Sequence, residues 1–152
     1  MKKSAIYFSA LFCFSLFISQ SALAQKDQLE KTWYNEKKTS KIQIYMAKDG
    51  SYCGKVVWLD QPIDKDTGKP KADKENPDEK LRSTPVMNLV IMKGFKKGKD
   101  DPNEYTDGSI YDPKNGKTYC GKINFKGTTL ELHGFLCSLH FLGRTETWTL
   151  AE

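Results

Sequence analysis

Residues 42–56 read Ile42-Gln43-Ile44-Tyr45-Met46-Ala47-Lys48-Asp49-Gly50-Ser51-Tyr52-Cys53-Gly54-Lys55-Val56. Two runs of alternating polarity flank Lys48-Asp49-Gly50, which fits a three-residue hairpin loop with glycine in the left-handed position. Looping out those three residues sets Ile42 against Val56, Gln43 against Lys55 and Ile44 against Gly54, so like meets like. A two-residue loop would set Ile44 against Lys55. Slipping a strand by one residue turns every side chain to the wrong face, so the first register is expected.

The same alternation recurs on both sides of this hairpin. Strands are expected at about 30–35, 40–46, 51–59, 86–93, 107–111, 117–125, 128–136 and 139–150. Turn residues separate them, and no long helical period intervenes. Asp112-Pro113-Lys114-Asn115-Gly116 is a strong turn. Lys126-Gly127, taken as a two-residue loop, sets Lys122 against Glu131 and Ile123 against Leu130. The expected fold is all-β, an eight-stranded up-and-down barrel. Tyr52-Cys53-Gly54-Lys55 returns as Tyr119-Cys120-Gly121-Lys122, which reads as two hairpins solving one local problem, since little else repeats.

The N-terminus has the form of an export leader. Met1-Lys2-Lys3 is cationic, Ala5 to Ile18 is apolar, and Ala22-Leu23-Ala24 is a small-residue cleavage site. The apolar run is shorter than the roughly 20 residues of a spanning helix. Residues 1–24 are therefore expected to be a signal peptide and 25–152 a single barrel domain, periplasmic or secreted, with no membrane span after cleavage. The chain carries 24 basic and 19 acidic residues, a net charge of +5. Setting aside the leader's two lysines leaves a mildly basic domain, too weakly charged to argue for a nucleic-acid partner.

Cys53, Cys120 and Cys137 remain beyond the leader, so at most one internal pair can form. The register above places Cys120 opposite His133. Cys137 would then lie about 13 Å further along its strand, beyond the ~7 Å Cα separation that a disulfide spans. No Cys120–Cys137 bond is expected.

Between the third and fourth strands runs a long loop, from Asp60 to about Pro85, with four prolines and many charges. Loops of that length are usually functional or disordered. Asn76-Pro77-Asp78-Glu79 supplies an N-cap, a proline at the first helical position and a glutamate three residues on, so a short helical turn through Arg82 is expected. The loop is either a lid over the barrel mouth or a solvated crossover. Asp64-x-Asp66-x-Gly68 lacks the remaining ligands of a calcium loop.

In Leu142-Gly143-Arg144-Thr145-Glu146-Thr147-Trp148-Thr149-Leu150, one face carries Leu142, Arg144, Glu146, Trp148 and Leu150. Trp148 and the leucines should turn that face inward, taking Arg144 and Glu146 with it. Buried charges need partners. Either the two form a structural pair, with Arg144 stacking on an aromatic such as Trp33, or they line a polar cavity.

Gly54-Lys55-Val56-Val57-Trp58-Leu59, Asp73 with Asn76-Pro77-Asp78, Leu81-Arg82, the run from Gly108 to Tyr119, and Leu142-Gly143-Arg144-Thr145-x-Thr147-Trp148 together resemble the bacterial domain of unknown function 2147. The resemblance implies a calycin-like barrel, related in shape to lipocalins, with an early tryptophan and a late arginine, here Trp33 and Arg144, closing one end. No activity comes with it.

About eight strands leave room for side chains or one small ligand. The leading expectation is therefore a barrel that binds a small apolar or amphipathic molecule. The candidate contacts are Tyr52, Trp58, Asp60, Asp73, Asn76, Arg82, Asp112, Tyr119, Arg144, Glu146 and Trp148, and the inward aromatic set is Tyr52, Trp58, Tyr119, Phe125 and Trp148. One alternative is a filled barrel serving as a cell-envelope component through the 60–85 loop; another is an enzyme using inward Glu146 and Arg144. His133 and Cys120 share a face with Lys122, Asn124 and Glu131, which reads as solvent-facing. No catalytic set, metal site or cofactor is expected.

Overall fold

The computed structural model describes residues 26–151, so the leader expected over 1–24 lies outside the described residues. Eight antiparallel strands close into a barrel in sequence order: β1 (Thr32–Tyr34), β2 (Ser40–Met46), β3 (Tyr52–Leu59), β4 (Val90–Lys97), β5 (Glu104–Asp112), β6 (Lys117–Phe125), β7 (Thr129–Leu136) and β8 (Leu139–Leu150). β1 pairs with β8 through Trp33 and Leu150, which completes the ring. Among the described residues no helix is long and apolar enough to cross a membrane. The β2–β3 register is the one that polarity matching requires, with Ile42 opposite Val56 and Ile44 opposite Gly54.

Three places depart from the expected strand pairing. A bulge leaves Val57 unpaired between Val56, opposite Ile42, and Trp58, opposite Lys41. Trp58 therefore turns outward and stands edge-on to Tyr34 under the Lys41 ammonium, rather than joining the inward aromatics. On β4, Met92 and Phe95 are both buried although three residues apart. Gly94, at φ +75°, absorbs the extra residue, and Asp107, at φ +61°, answers it on β5 between buried Tyr105 and inward Gly108. These irregularities move β4 four residues toward the C-terminus of its expected span and start β5 earlier.

The third departure is a register. Phe125 faces Leu130 and Lys122 faces His133, so β6 and β7 are slipped by two residues from expectation, and the turn is centred on Gly127-Thr128. Cys120 now stands opposite Phe135, two residues short of Cys137. The two Cα atoms are 5.1 Å apart and a disulfide joins them, which corrects the expected absence of this bond. Cys53 is a free thiol.

One end of the barrel is sealed. Leu29 and Trp33 are fully buried, and the Trp33 indole N–H donates to the Leu29 carbonyl at 3.1 Å. The Trp33 ring meets Phe125 edge-on. The Asp27 carboxylate accepts hydrogen bonds from the Tyr105 hydroxyl, the Lys97 ammonium and the Leu29 N–H, tying residues 27–31 across the opening. Burial alone would raise the Asp27 carboxyl, but these donors outweigh it and hold it below its ordinary value. Tyr52 sits in the same end, edge-on to Tyr105 and pushed up to about 12 by burial and then by the Asp27 charge.

A carboxyl depressed in the folded state stabilises above its unfolded value, near pH 4, and that contribution is lost as pH falls through the folded value. Asp27→Asn is expected to cost about 2 kcal/mol at pH 7, the scale of a lost charge-assisted hydrogen bond. The variant should also lose part of the acid sensitivity below pH 4. Urea titrations of both proteins at pH 7 and pH 3 check this.

Candidate functional site

The opposite end stays open. Up-and-down order gathers there the β1–β2, β5–β6 and β7–β8 turns and the long β3–β4 loop. Together they surround a cavity of about 990 Å³ that reaches to mid-barrel. Its floor is apolar: Ile42, Val56, Ile110, Leu132 and Trp148. Below the floor the Phe95 ring, from β4, lies over Gly108 and Gly121 on the next two strands, where side chains would collide with it. The barrel is thus filled below the waist and hollow above it.

The rim is charged. Arg144 bonds Glu36 at 3.0 Å and Glu146 at 3.1 Å, and its side chain is 61% exposed. The other Glu146 oxygen accepts the Trp148 indole N–H at 3.1 Å. Parity along β8 does turn Arg144 and Glu146 toward the barrel axis, but they lie at the mouth rather than in a sealed interior. The Arg144–Glu146 pair exists; the stacking on Trp33 does not. Trp33 faces Leu150, six residues down β8 from Arg144 and about 20 Å away at strand rise. The two do not form a barrel-closing pair: Leu29 and Phe125 close the end where Trp33 sits.

The long loop forms part of the cavity wall rather than a loose crossover. Single antiparallel bridges at Ile63–Pro70 and Ala72–Pro85 pin its backbone at two points. Asp64 accepts the Asp66 and Thr67 N–H groups and pairs with Lys74 at 2.5 Å; the Lys74 bond first, then the turn N–H groups, hold its carboxyl down at about 2. Asp73 is fully buried. It accepts the Tyr111 hydroxyl and the Asn76 amide, both at 2.7 Å, which fastens the loop to β5. Burial, then the bond to Asp73, pushes the Tyr111 hydroxyl up to about 12. The expected helical turn is a single 3-10 turn, Glu79–Leu81. Asp78 is its cap rather than Asn76, whose side chain accepts the Asp78 N–H instead.

Of the residues singled out in the sequence, Asp60, Asp112, Tyr119, Arg144, Glu146 and Trp148 line one cavity. Asp73, Asn76 and Arg82 are structural elements of the loop, with the Arg82 Nε donating to the Asn76 carbonyl. Tyr52 belongs to the sealed end and Trp58 to the outer surface. Sequence reading missed Glu36, which anchors Arg144, and the loop residues Lys71 and Val86, which face the cavity. Glu36 sits in a short polar turn, and the loop faces are set by backbone pairing that no side-chain period announces.

Residues 31–150 match the family described as "Uncharacterized protein conserved in bacteria (DUF2147)". No curated protein matches the chain. Among solved structures, protein HP1028 from Helicobacter pylori, described as belonging to the lipocalin family, superposes with a TM-score of 0.68 at 23% identity. The match covers 82% of this chain and 83% of that one, and at that identity it shows the fold alone.

Proposed function

The chain belongs to the DUF2147 family of uncharacterized bacterial proteins, and from that premise we propose that it is an exported barrel holding one small amphipathic molecule. The apolar end of the ligand enters among Ile42, Val56, Ile110, Leu132 and Trp148. Its polar end stays at the rim, beside Arg144, Glu146 and Asp112. The carrying observation is a cavity of about 990 Å³, apolar below and charged above, at the upper end of the usual small-molecule range of about 300–1,000 Å³. Export is supported by the leader-like N-terminus and by the Cys120–Cys137 bond, since structural disulfides persist mainly in oxidising compartments.

Trp148 provides the test, because it is the one tryptophan on the cavity floor while Trp33 and Trp58 lie elsewhere. Titration with ω-bromododecanoate is expected to quench its fluorescence saturably, and Trp148→Phe should remove most of that quenching. Leu132→Trp, which fills the floor, should weaken binding at least about tenfold, or roughly 1.4 kcal/mol. Quenching that never saturates, or that survives unchanged in Trp148→Phe, would sink the proposal.

A further inference from the structure

The hairpin tip between β7 and β8 carries a feature that the cavity does not explain. From Gly134 to Gly143 the chain reads Gly-Phe-Leu-Cys-Ser-Leu-His-Phe-Leu-Gly, without one aspartate, glutamate, lysine or arginine, in a protein in which those four make up 28% of residues. Leu136, Leu139, Phe141 and Leu142 are all exposed there, Phe141 at 82%. Single exposed apolar side chains are ordinary, but four on one hairpin tip mark an interaction site.

We propose that this tip is a membrane-docking element, seating the cavity mouth on a lipid surface that bears anionic headgroups. Three observations favour that occupant. First, the closed barrel presents no free strand edge for a protein partner to extend, and the four exposed side chains are all aliphatic or aromatic, the type that enters a lipid surface. Second, cations flank the tip. Glu36 in the β1–β2 turn bonds Arg144 on β8 and accepts the Thr147 N–H, which places the next residues, exposed Lys37 and Lys38, at the same open end beside the base of the β7–β8 hairpin. Lys114 on the β5–β6 turn and Lys117 at the start of β6 are exposed at the same end. Apolar insertion with flanking cations is the pattern of interfacial binding to anionic lipid. Third, Leu142 belongs both to the exposed tip and to the cavity lining, so apolar surface runs from the docking element into the pocket.

The Cys120–Cys137 bond ties the turn of the hairpin, Cys137-Ser138, to β6. A turn held this way stays at the barrel wall, so the exposed leucines and Phe141 flank the mouth instead of folding over the cavity. Docked mouth-down, the barrel lets an amphiphile pass between bilayer and cavity without its chain crossing open water.

The experiment is flotation of the leader-free protein with vesicles of phosphatidylcholine containing one-quarter phosphatidylglycerol. The wild type is expected to float with them, and less so at high salt. Leu139→Ser/Phe141→Ser should lower binding at least about tenfold, the scale of losing one buried aromatic, with thermal unfolding unchanged because both side chains are exposed. Lys37→Glu/Lys38→Glu should weaken binding to these vesicles and leave pure phosphatidylcholine vesicles unaffected. ω-Bromododecanoate quenching measured without vesicles should be unaltered in the tip variant, so failure of docking is distinguishable from failure of ligand binding. Wild-type protein that does not float would overturn the proposal, as would flotation untouched by the tip substitutions. So would a dimer, seen by sedimentation, that those substitutions dissociate.

Discussion

Gly108→Ala is expected to destabilise the barrel by about 3 kcal/mol, the top of the usual overpacking range. A methyl group at Gly108 would intrude on the carbons of the Phe95 ring. The ring is fully buried and lies over both Gly108 and its β6 partner Gly121, where a Cβ would lie 2.8 Å from the ring tip. Interiors this dense yield little to an added methyl. Urea unfolding checks the magnitude. Phe95→Leu in the same chain should recover at least about 1 kcal/mol of the loss, as expected when two substitutions share one contact. Gly127→Ala is the comparison. There the new methyl meets nothing within 4 Å, and only the positive φ of +84° is strained, so about 1 kcal/mol is expected. A Gly108→Ala cost no larger than that of Gly127→Ala would contradict the packing at the waist.

Removing the Cys120–Cys137 bond is expected to cost a further ~3 kcal/mol. The bond closes a loop of sequence separation 17, and loop-closure entropy gives roughly that amount for about 15 residues. The loss should have a location as well as a size. Amide exchange in Cys120→Ser/Cys137→Ser should accelerate over Leu136–Leu142 and the first half of β6, and stay slow at the sealed end around Trp33 and Phe95. A stability change below about 1 kcal/mol would show that the hairpin holds its own tip, against the staple described here.

The bond also shows where legibility ended. The β2–β3 hairpin could be read because Gly50 marks the loop and a one-residue slip would expose Ile42 and Ile44. The β6–β7 hairpin tolerates a different error. A two-residue slip keeps every face, since Lys122 meets Glu131 in one register and His133 in the other, both outward. Period-two patterning opposes odd slips and is blind to even ones, and the disulfide was hidden behind that blindness. Bulges are a second blind spot. Val57 and Gly94 each add one residue, which turns Trp58 out and Phe95 in with no change in local composition.

Parity also gives a face and not a depth. Arg144, Glu146 and Trp148 were legible as sharing one side of β8, yet only the structure separates a rim from a floor. The hollow itself depends on which small residues are covered by a neighbouring strand's side chain. Gly108 and Gly121 receive Phe95, whereas a Cβ at Gly134 would meet its nearest neighbour only at 3.5 Å. The loop's contribution rests on Asp73, whose burial beneath Tyr111 is a tertiary fact.

A crystal of the protein soaked in ω-bromododecanoate and measured at the bromine absorption edge tests the central claim most directly. One anomalous peak is expected on the cavity floor, in contact with Ile110, Leu132 and Trp148, with the carboxylate at the Arg144 rim. A crystal whose bromine lies only outside the barrel, or whose cavity excludes the chain at saturating amphiphile, would contradict that claim.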